Sequence, residues 1–360
     1  MYKNLTDKEL KDLKISLEKE ISSLNNQQQA TKIANNSLYG ALSNVYFRFF
    51  NIEFARAITL TGQTIIQDVS GNLNNYLNQS IKTDNYPYIF YNDTDSCFCN
   101  LSPVVNKFYK NGDVHAIIKQ LDKICEERIN PQLEIICNDF QKKTGAYKNV
   151  LNFKRELIAD KMLISGKKHY IMRYYNSEGI VYDKPKLKIK GYEIIKSSTP
   201  KKIREMLRTT VDVVMNGDKA ETKKVIDDCR REFKSLTVKE ISIPKSANNL
   251  SKYSKDGIYT KGCPLHVRGA LLYNHHIKRL GLNKNHEYIK EGEKVKYVYL
   301  KMPNAFRENV ISYISELPKE FELDDYIDYD IMFEKVYANA LDNIITCLGW
   351  QTDEPTGFDI

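Results

Sequence analysis

The chain has one tryptophan, seven cysteines with no CxxC pair among them, and six histidines in no metal-ligand spacing. An odd, unpatterned set of thiols argues against a disulfide frame and fits reduced cysteines in the cytoplasm. His275 and His276 are adjacent, so they cannot share a helix face and make no metal pair. No apolar run approaches the ~18 residues of a membrane span. The start MYKNLTDKEL lacks the apolar core of a secretory signal. A cytoplasmic protein with no membrane partner is therefore expected. Internal repeats and low-complexity linkers are also missing, which removes solenoids and flexible tethers from consideration.

At 360 residues the chain is long enough for two or three domains with sizeable cores. Its charge is uneven. Residues 141–210 hold 18 Lys and Arg against 6 Asp and Glu, a local +12 that exceeds the +8 of the whole chain. Residues 320–360 hold 11 acids and only Lys335. A basic middle and an acidic end suggest a polyanion bound by the middle, although surface lysines also serve solubility.

Thr6 with Glu9 reads as a capping box, followed by Leu10, Leu13, Leu17, Ile21 and Leu24 at helical spacing. The polar run NNQQQ at 25–29 is expected to break this helix, with a second from Gln29 to Tyr46 and a third over residues 52–79. Residues 88–98, YIFYNDTDSCF, read as a hairpin with its turn at Asn92, Asp93 and Thr94, types that tolerate left-handed backbone. Strand alternation would point Asp93 and Asp95 the same way. Two such carboxylates repel unless they share a cation, and a hard divalent ion takes oxygen ligands of this kind. An EF-hand is excluded, because Phe98 and Val104 stand where its Gly and Glu belong. A phosphatase-type DxD is disfavoured by Ser96 in place of Gly. Cys97 and Cys99 read as sheet residues rather than ligands. Helical sequence from Val114 to Phe140 follows, then two alternating β patches, KKHYIMRYY and KPKLKIKGYEII, then mainly helix from Pro200.

In TKIANNSLYGALSN, Lys32, Asn36 and Tyr39 fall at i, i+4 and i+7, so a cation, an amide and an aromatic ring share one helix face. Gly40 beside them lets a flat group approach the backbone. Such a face suits a nucleoside triphosphate.

In combination and order these segments resemble family B DNA polymerases. KIANNSLYG is similar to the KxxxNSxYG motif B, YNDTDS to motif C (YGDTDS), and GKKHY at 166–170 to the KKRY-type motif of the palm. PKLKIKGYEIIKSSTPK resembles the palm segment whose lysine lies beside the primer terminus. ISIPKSANNLSKY and CPLHVRGALLYN resemble the thumb of the replicative polymerases of large tailed bacteriophages. The resemblance implies an α+β fold with an antiparallel palm sheet, helical fingers and a mainly helical thumb: fingers at 1–44, palm at 45–204, thumb at 205–360. It implies two Mg2+ ions held through Asp95, with Asp93 as the lesser carboxylate. Lys32 and Asn36 would hold the dNTP triphosphate, with Tyr39 and Gly40 on the nascent base pair. Lys167, Lys168, Tyr170 and Lys188 would hold primer-template DNA. Asn92 stands for the usual Gly of motif C, and His169 for the commoner Arg.

The DxxSLYPS segment that carries the family's other metal-binding aspartate, motif A, has no counterpart here, and neither have the exonuclease acids. The expectation is the carboxyl-terminal half of a split polymerase, active with a partner that supplies motif A and the exonuclease. A catalytically inactive, DNA-binding remnant is the alternative. The tail QTDEPTGFDI lies where related phage enzymes carry a sliding-clamp peptide, with Phe358 and Ile360 as anchors.

Overall fold

A computed structural model describes residues 6–109, 112–254 and 257–350. The tail expected to meet a clamp lies outside the described residues. The chain divides into two compact units, Met1–Arg155 and Glu156–Ile360.

In the first unit, α1 (Asp7–Leu42) opens on the expected capping box, with Thr6 and Glu9 satisfying each other's amides. It does not break at NNQQQ. The run contains no Gly or Pro, Gln is a sound helix former, and solvent takes its polar side chains, so loss of the apolar stripe does not end the helix. It stops at Leu42, short of the expected Tyr46. The second helix, α2 (Ile52–Ile81), is capped by Asn51, whose side chain accepts the Phe54 amide at 3.0 Å. Apart from Ala55, its buried residues, Ile66, Val69, Ser70, Leu73, Leu77 and Ile81, make a stripe along its later half. Against that stripe packs an antiparallel hairpin, β1 (Ile89–Asp93) and β2 (Ser96–Cys99). Then come α3 (Ser102–Phe108), α4 (Val114–Ile124), a π turn at Cys125–Ile129, and α5 (Asn130–Thr144). Tyr88, Val104, Ile129, Leu133 and Ile136 complete this core. The asparagines of α2 also grip the hairpin's approach: Asn78 bonds both backbone groups of Tyr86, and Asn74 accepts the Ile89 amide.

The second unit begins with a three-stranded antiparallel sheet, β3 (Leu157–Gly166), β4 (His169–Ser177) and β5 (Ile180–Lys190), in that order. Strands β4 and β5 are the two expected patches. β3 was hidden by Asp160 and Lys161 in mid-strand, where the register shifts and the period of two is lost. Helices α6 (Lys201–Asn216), α7 (Lys219–Phe233) and α8 (Val238–Ile241) follow, then β6 (Ile243–Ser246), α9 (Leu250–Tyr253) and α10 (Leu265–Arg279). Strands β7 (Lys294–Tyr299) and β8 (Val310–Tyr313) join β6 in a second antiparallel sheet, order β6-β7-β8. The unit closes on α11 (Tyr329–Phe333), a π turn and α12 (Asn339–Cys347). One core runs from Ile171 and Ile189 of the first sheet through Leu207, Phe233 and Leu272 to Ile344. The fold is α+β, as expected. Among the described residues no helix is long and apolar enough to cross a membrane.

Candidate active site

The aspartate pair does not sit on one strand. β1 ends at Asp93 and β2 starts at Ser96, which pair across the ladder, so Thr94 and Asp95 are the two-residue turn. Strand alternation therefore does not govern them. Thr94, not Asn92 or Asp93, takes the left-handed backbone (φ 59°), an unusual place for a β-branched residue. The turn is knit by the Asp95 amide donating to the Asp93 carbonyl (2.7 Å) and by Ser96 Oγ donating to the same oxygen (3.1 Å). Thr94 Oγ1 donates to the Asp93 carboxylate at 3.2 Å. Asp93 is only 3 % exposed, whereas Asp95 is exposed. The two acids thus occupy unlike environments: one is engaged inside the hairpin, the other is presented to solvent.

This donor set fits a magnesium ion. Mg2+ keeps several waters and is held by one or two carboxylates plus substrate phosphates rather than by an all-protein cage. Among the described residues no cluster of three or more His, Cys, Asp or Glu side chains could hold a metal. The neighbouring thiols stay protonated: burial pushes Cys97 up, and pushes Cys99 to about 12. Neutral thiols are poor ligands, which agrees with reading both as sheet residues.

On α1, Lys32, Asn36 and Tyr39 share one exposed face over about 10 Å of helix. Tyr39 is 45 % exposed, and its hydroxyl lies 2.9 Å from Thr59 Oγ1 on α2. A Cβ added at Gly40 would meet nothing within 4 Å, so packing within this chain does not demand that glycine. Helix α2 is fastened at its other end to the aspartate hairpin. Ser70 Oγ lies 3.0 Å from Asn92 Oδ1 and 3.5 Å from Cys97 Sγ.

In the second unit, Lys167 and Lys168 form the two-residue turn between β3 and β4, since Gly166 pairs with His169. Lys168 is left-handed (φ 62°). The turn rests on Gly191, itself at φ 85°. A Cβ there would come within 2.3 Å of the Lys168 carbonyl and 2.8 Å of the His169 ring, so no larger residue fits without displacing the turn. The His169 ring bonds the Lys167 carbonyl (3.0 Å) and packs edge-on against Tyr192. Tyr170, the second residue of β4 after the turn, is 3 % exposed. Lys188 stands on β5 opposite Met172 and pairs with Glu156 at 2.5 Å. Lys186 and Lys190 flank it on the same face of the strand.

Sequence reasoning missed the side chains that seat these groups: Thr59 under Tyr39, Ser70 under Asn92, and Gly191 under Lys168. Thr59 carries no signal in the sequence. Ser70 has one, being a hydroxyl inside an apolar helical stripe. Gly191 has another, being a glycine directly after a lysine-rich strand.

The sequence profile of DNA polymerase family B matches residues 6–348. The DNA-directed DNA polymerase of Enterobacteria phage T4 is 30% identical over 373 aligned residues, covering 99% of this chain and 41% of that protein. That of Escherichia phage RB69 is 32% identical over 326, covering 86% of this chain and 36% of that protein. The chain thus spans about two fifths of the length of the curated relatives it matches. With the profile matched over nearly its whole length, the chain belongs to DNA polymerase family B.

Proposed function

We propose that this chain provides the nucleotide-binding face and one metal-binding turn of a cytoplasmic DNA-directed DNA polymerase that adds dNTP to a primer 3′-hydroxyl. The observation that carries the reading is the double attachment of α2, to Tyr39 through Thr59 and to the Asp93–Asp95 hairpin through Ser70. One helix thereby fixes the spacing between a face suited to a triphosphate and a turn suited to a cation. Magnesium bound at this turn would supply charge stabilisation for the phosphoryl displacement.

Exposed Asp95 is the residue that would hold the ions. Asp93, held within the hairpin, braces the turn and contributes weakly. Lys32 and Asn36 neutralise and orient the triphosphate, while Tyr39 and Gly40 offer a flat surface to the nascent base pair. Lys167 and Lys168 on the β3–β4 turn, with Tyr170 beside them and Lys188 on β5, bind primer-template DNA. The Lys188–Glu156 pair is partly exposed, and such pairs contribute only about 0–1 kcal/mol, so phosphate can displace Glu156 readily. Residues 1–44 act as fingers, 45–204 as palm and 205–360 as thumb.

Two carboxylates on one turn do not complete a two-ion site. A motif A aspartate, from a longer polypeptide or a separate chain that also carries the exonuclease, supplies the remainder. Primer extension by the reconstituted enzyme, with and without Asp95→Asn, tests this reading. Loss of incorporation with primer-template binding retained supports it, and near-native turnover rules it out. DNA binding that never acquires incorporation with any motif A segment would identify a DNA-binding remnant.

A further inference from the structure

Asn92 stands directly before Asp93, where the family motif has glycine and therefore no side chain to hold. In this chain the side chain is held. Its Oδ1 lies 3.0 Å from the hydroxyl of Ser70, which is 9 % exposed and sits among Ile66, Val69 and Leu73 on the packed face of α2. The same hydroxyl lies 3.5 Å from Sγ of Cys97, the cross-strand partner of Asn92, and 2.5 Å from the Ile66 carbonyl. Ser70 thus touches both strands of the hairpin at the pair next below Asp93 and Ser96, one step from the turn that presents Asp95.

A two-stranded hairpin with a two-residue turn is marginal by itself, and here a β-branched residue holds the left-handed position. Such a turn keeps its shape when its base is clamped. The hydroxyl has a single hydrogen. Given to Asn92, it leaves the Ile66 carbonyl to its ordinary helix bond. Given to Ile66, it leaves Ser70 Oγ to accept from the Asn92 amide after that group rotates. Either arrangement keeps Asn92 tied to α2.

We propose that Ser70 is a positioning residue for the Asp93–Asp95 turn, acting through the Asn92 side chain and touching neither metal nor substrate. The proposal rests on the reading of this turn as a metal site, and its test keeps the two apart. In the full chain, Ser70→Ala, Asn92→Gly and the double variant are compared by amide hydrogen exchange from Asp93 to Cys97 without metal, with α5 amides as the control for folding. Mn2+ binding is followed by electron paramagnetic resonance, with Asp95→Asn as its control.

Ser70→Ala should accelerate exchange at the turn about tenfold while α5 is unchanged, and should weaken Mn2+ binding severalfold. Asn92→Gly should do the same. The double variant should be no worse than either single one, because both remove the same contact. Unchanged exchange at the turn in Ser70→Ala, or effects of the two substitutions that simply add, would overturn the proposal. Should Ser70→Ala disturb α5, the exposed Asn92→Gly decides alone, and turn exchange unaltered by it overturns the proposal. Mn2+ binding indifferent to Asp95→Asn would instead remove the metal reading, and the exchange data would still decide the clamp.

Discussion

Helix α1 is 36 residues long and has no buried residue, whereas α10, with 15 residues, has eight. Propensity does not explain the difference, since both carry apolar residues at helical spacing. α10 lies so close to β8 that a Cβ on Gly269 would come within 2.5 Å of Ser312 Oγ. Leu10, Leu17, Ile21 and Leu24 of α1 are all exposed, and the first three line a shallow groove with Leu13. The helix whose face resembles the nucleotide site is thus left uncovered, whereas a helix with no such face is closely packed. Function and stability should therefore separate: exposed residues of the first unit should govern chemistry, and buried residues of the second should govern folding.

The largest expected effect falls on the first of these. In the reconstituted polymerase, Asp95→Asn should lower incorporation by at least about 10³-fold, because it removes a ligand acting mainly on the transition state. Thermal unfolding should be unmoved, and Asp93→Asn should be milder in rate. A matching loss of stability on Asp95→Asn would erase the separation.

The converse holds for α10. Leu272→Ala, at a fully buried position, should cost about 2–5 kcal/mol in chemical denaturation, whereas Leu17→Ala on α1 of the same chain should stay within about 0.5 kcal/mol. If the two cost the same, α1 would be packed in solution against something within this chain.

His276, also on α10, stacks on Phe306 at 3.5 Å, and burial, reinforced by Arg279 and His275, pushes its pKa down to about 4. Its folded value lies below the ordinary one near 6.5, so the unfolded state binds the proton first. The contribution of neutral His276 is complete above pH 6.5 and is lost as pH falls toward 4, by roughly 3 kcal/mol in all. Denaturation midpoints between pH 7 and 4.5 should fall for the native chain and flatten in His276→Phe.

The smallest effect concerns DNA. Affinity for primer-template should drop steeply with salt, and Lys168→Ala should make the slope shallower by about one while weakening binding only severalfold. Sequence preference should remain slight, since phosphate contacts position the protein without specifying bases. A salt-insensitive affinity would make the basic turn an ordinary solvated surface.

Much of this was legible in sequence because local signals agreed with the fold. Thr6 and Glu9 announced α1, the period-two lysines announced β5, and the order of Lys32, Asn36, Tyr39, Asp95 and Lys168 carried the family. What was not legible depends on contacts distant in the chain. NNQQQ looked like a stop because its stripe ends, yet a helix that buries no side chain needs no stripe. β3 hid behind its bulge, and the sheet of β6, β7 and β8 hid within sequence that reads as mostly helix and loop. The left-handed residue of the aspartate turn proved to be Thr94, because the ladder pairs Asp93 with Ser96 and leaves Thr94 no strand partner. Ser70 and Gly191 acquire meaning only once Asn92 and Lys168 are seen resting on them.

The most direct test of the central claim is primer extension by these 360 residues alone and after mixing with a separately produced family B segment that carries the motif A aspartate. The account predicts no incorporation by the chain alone, incorporation on mixing, and its loss again when the mixed chain carries Asp95→Asn. Extension of a primer by the chain unaided would contradict it, and would require another metal ligand from within this sequence.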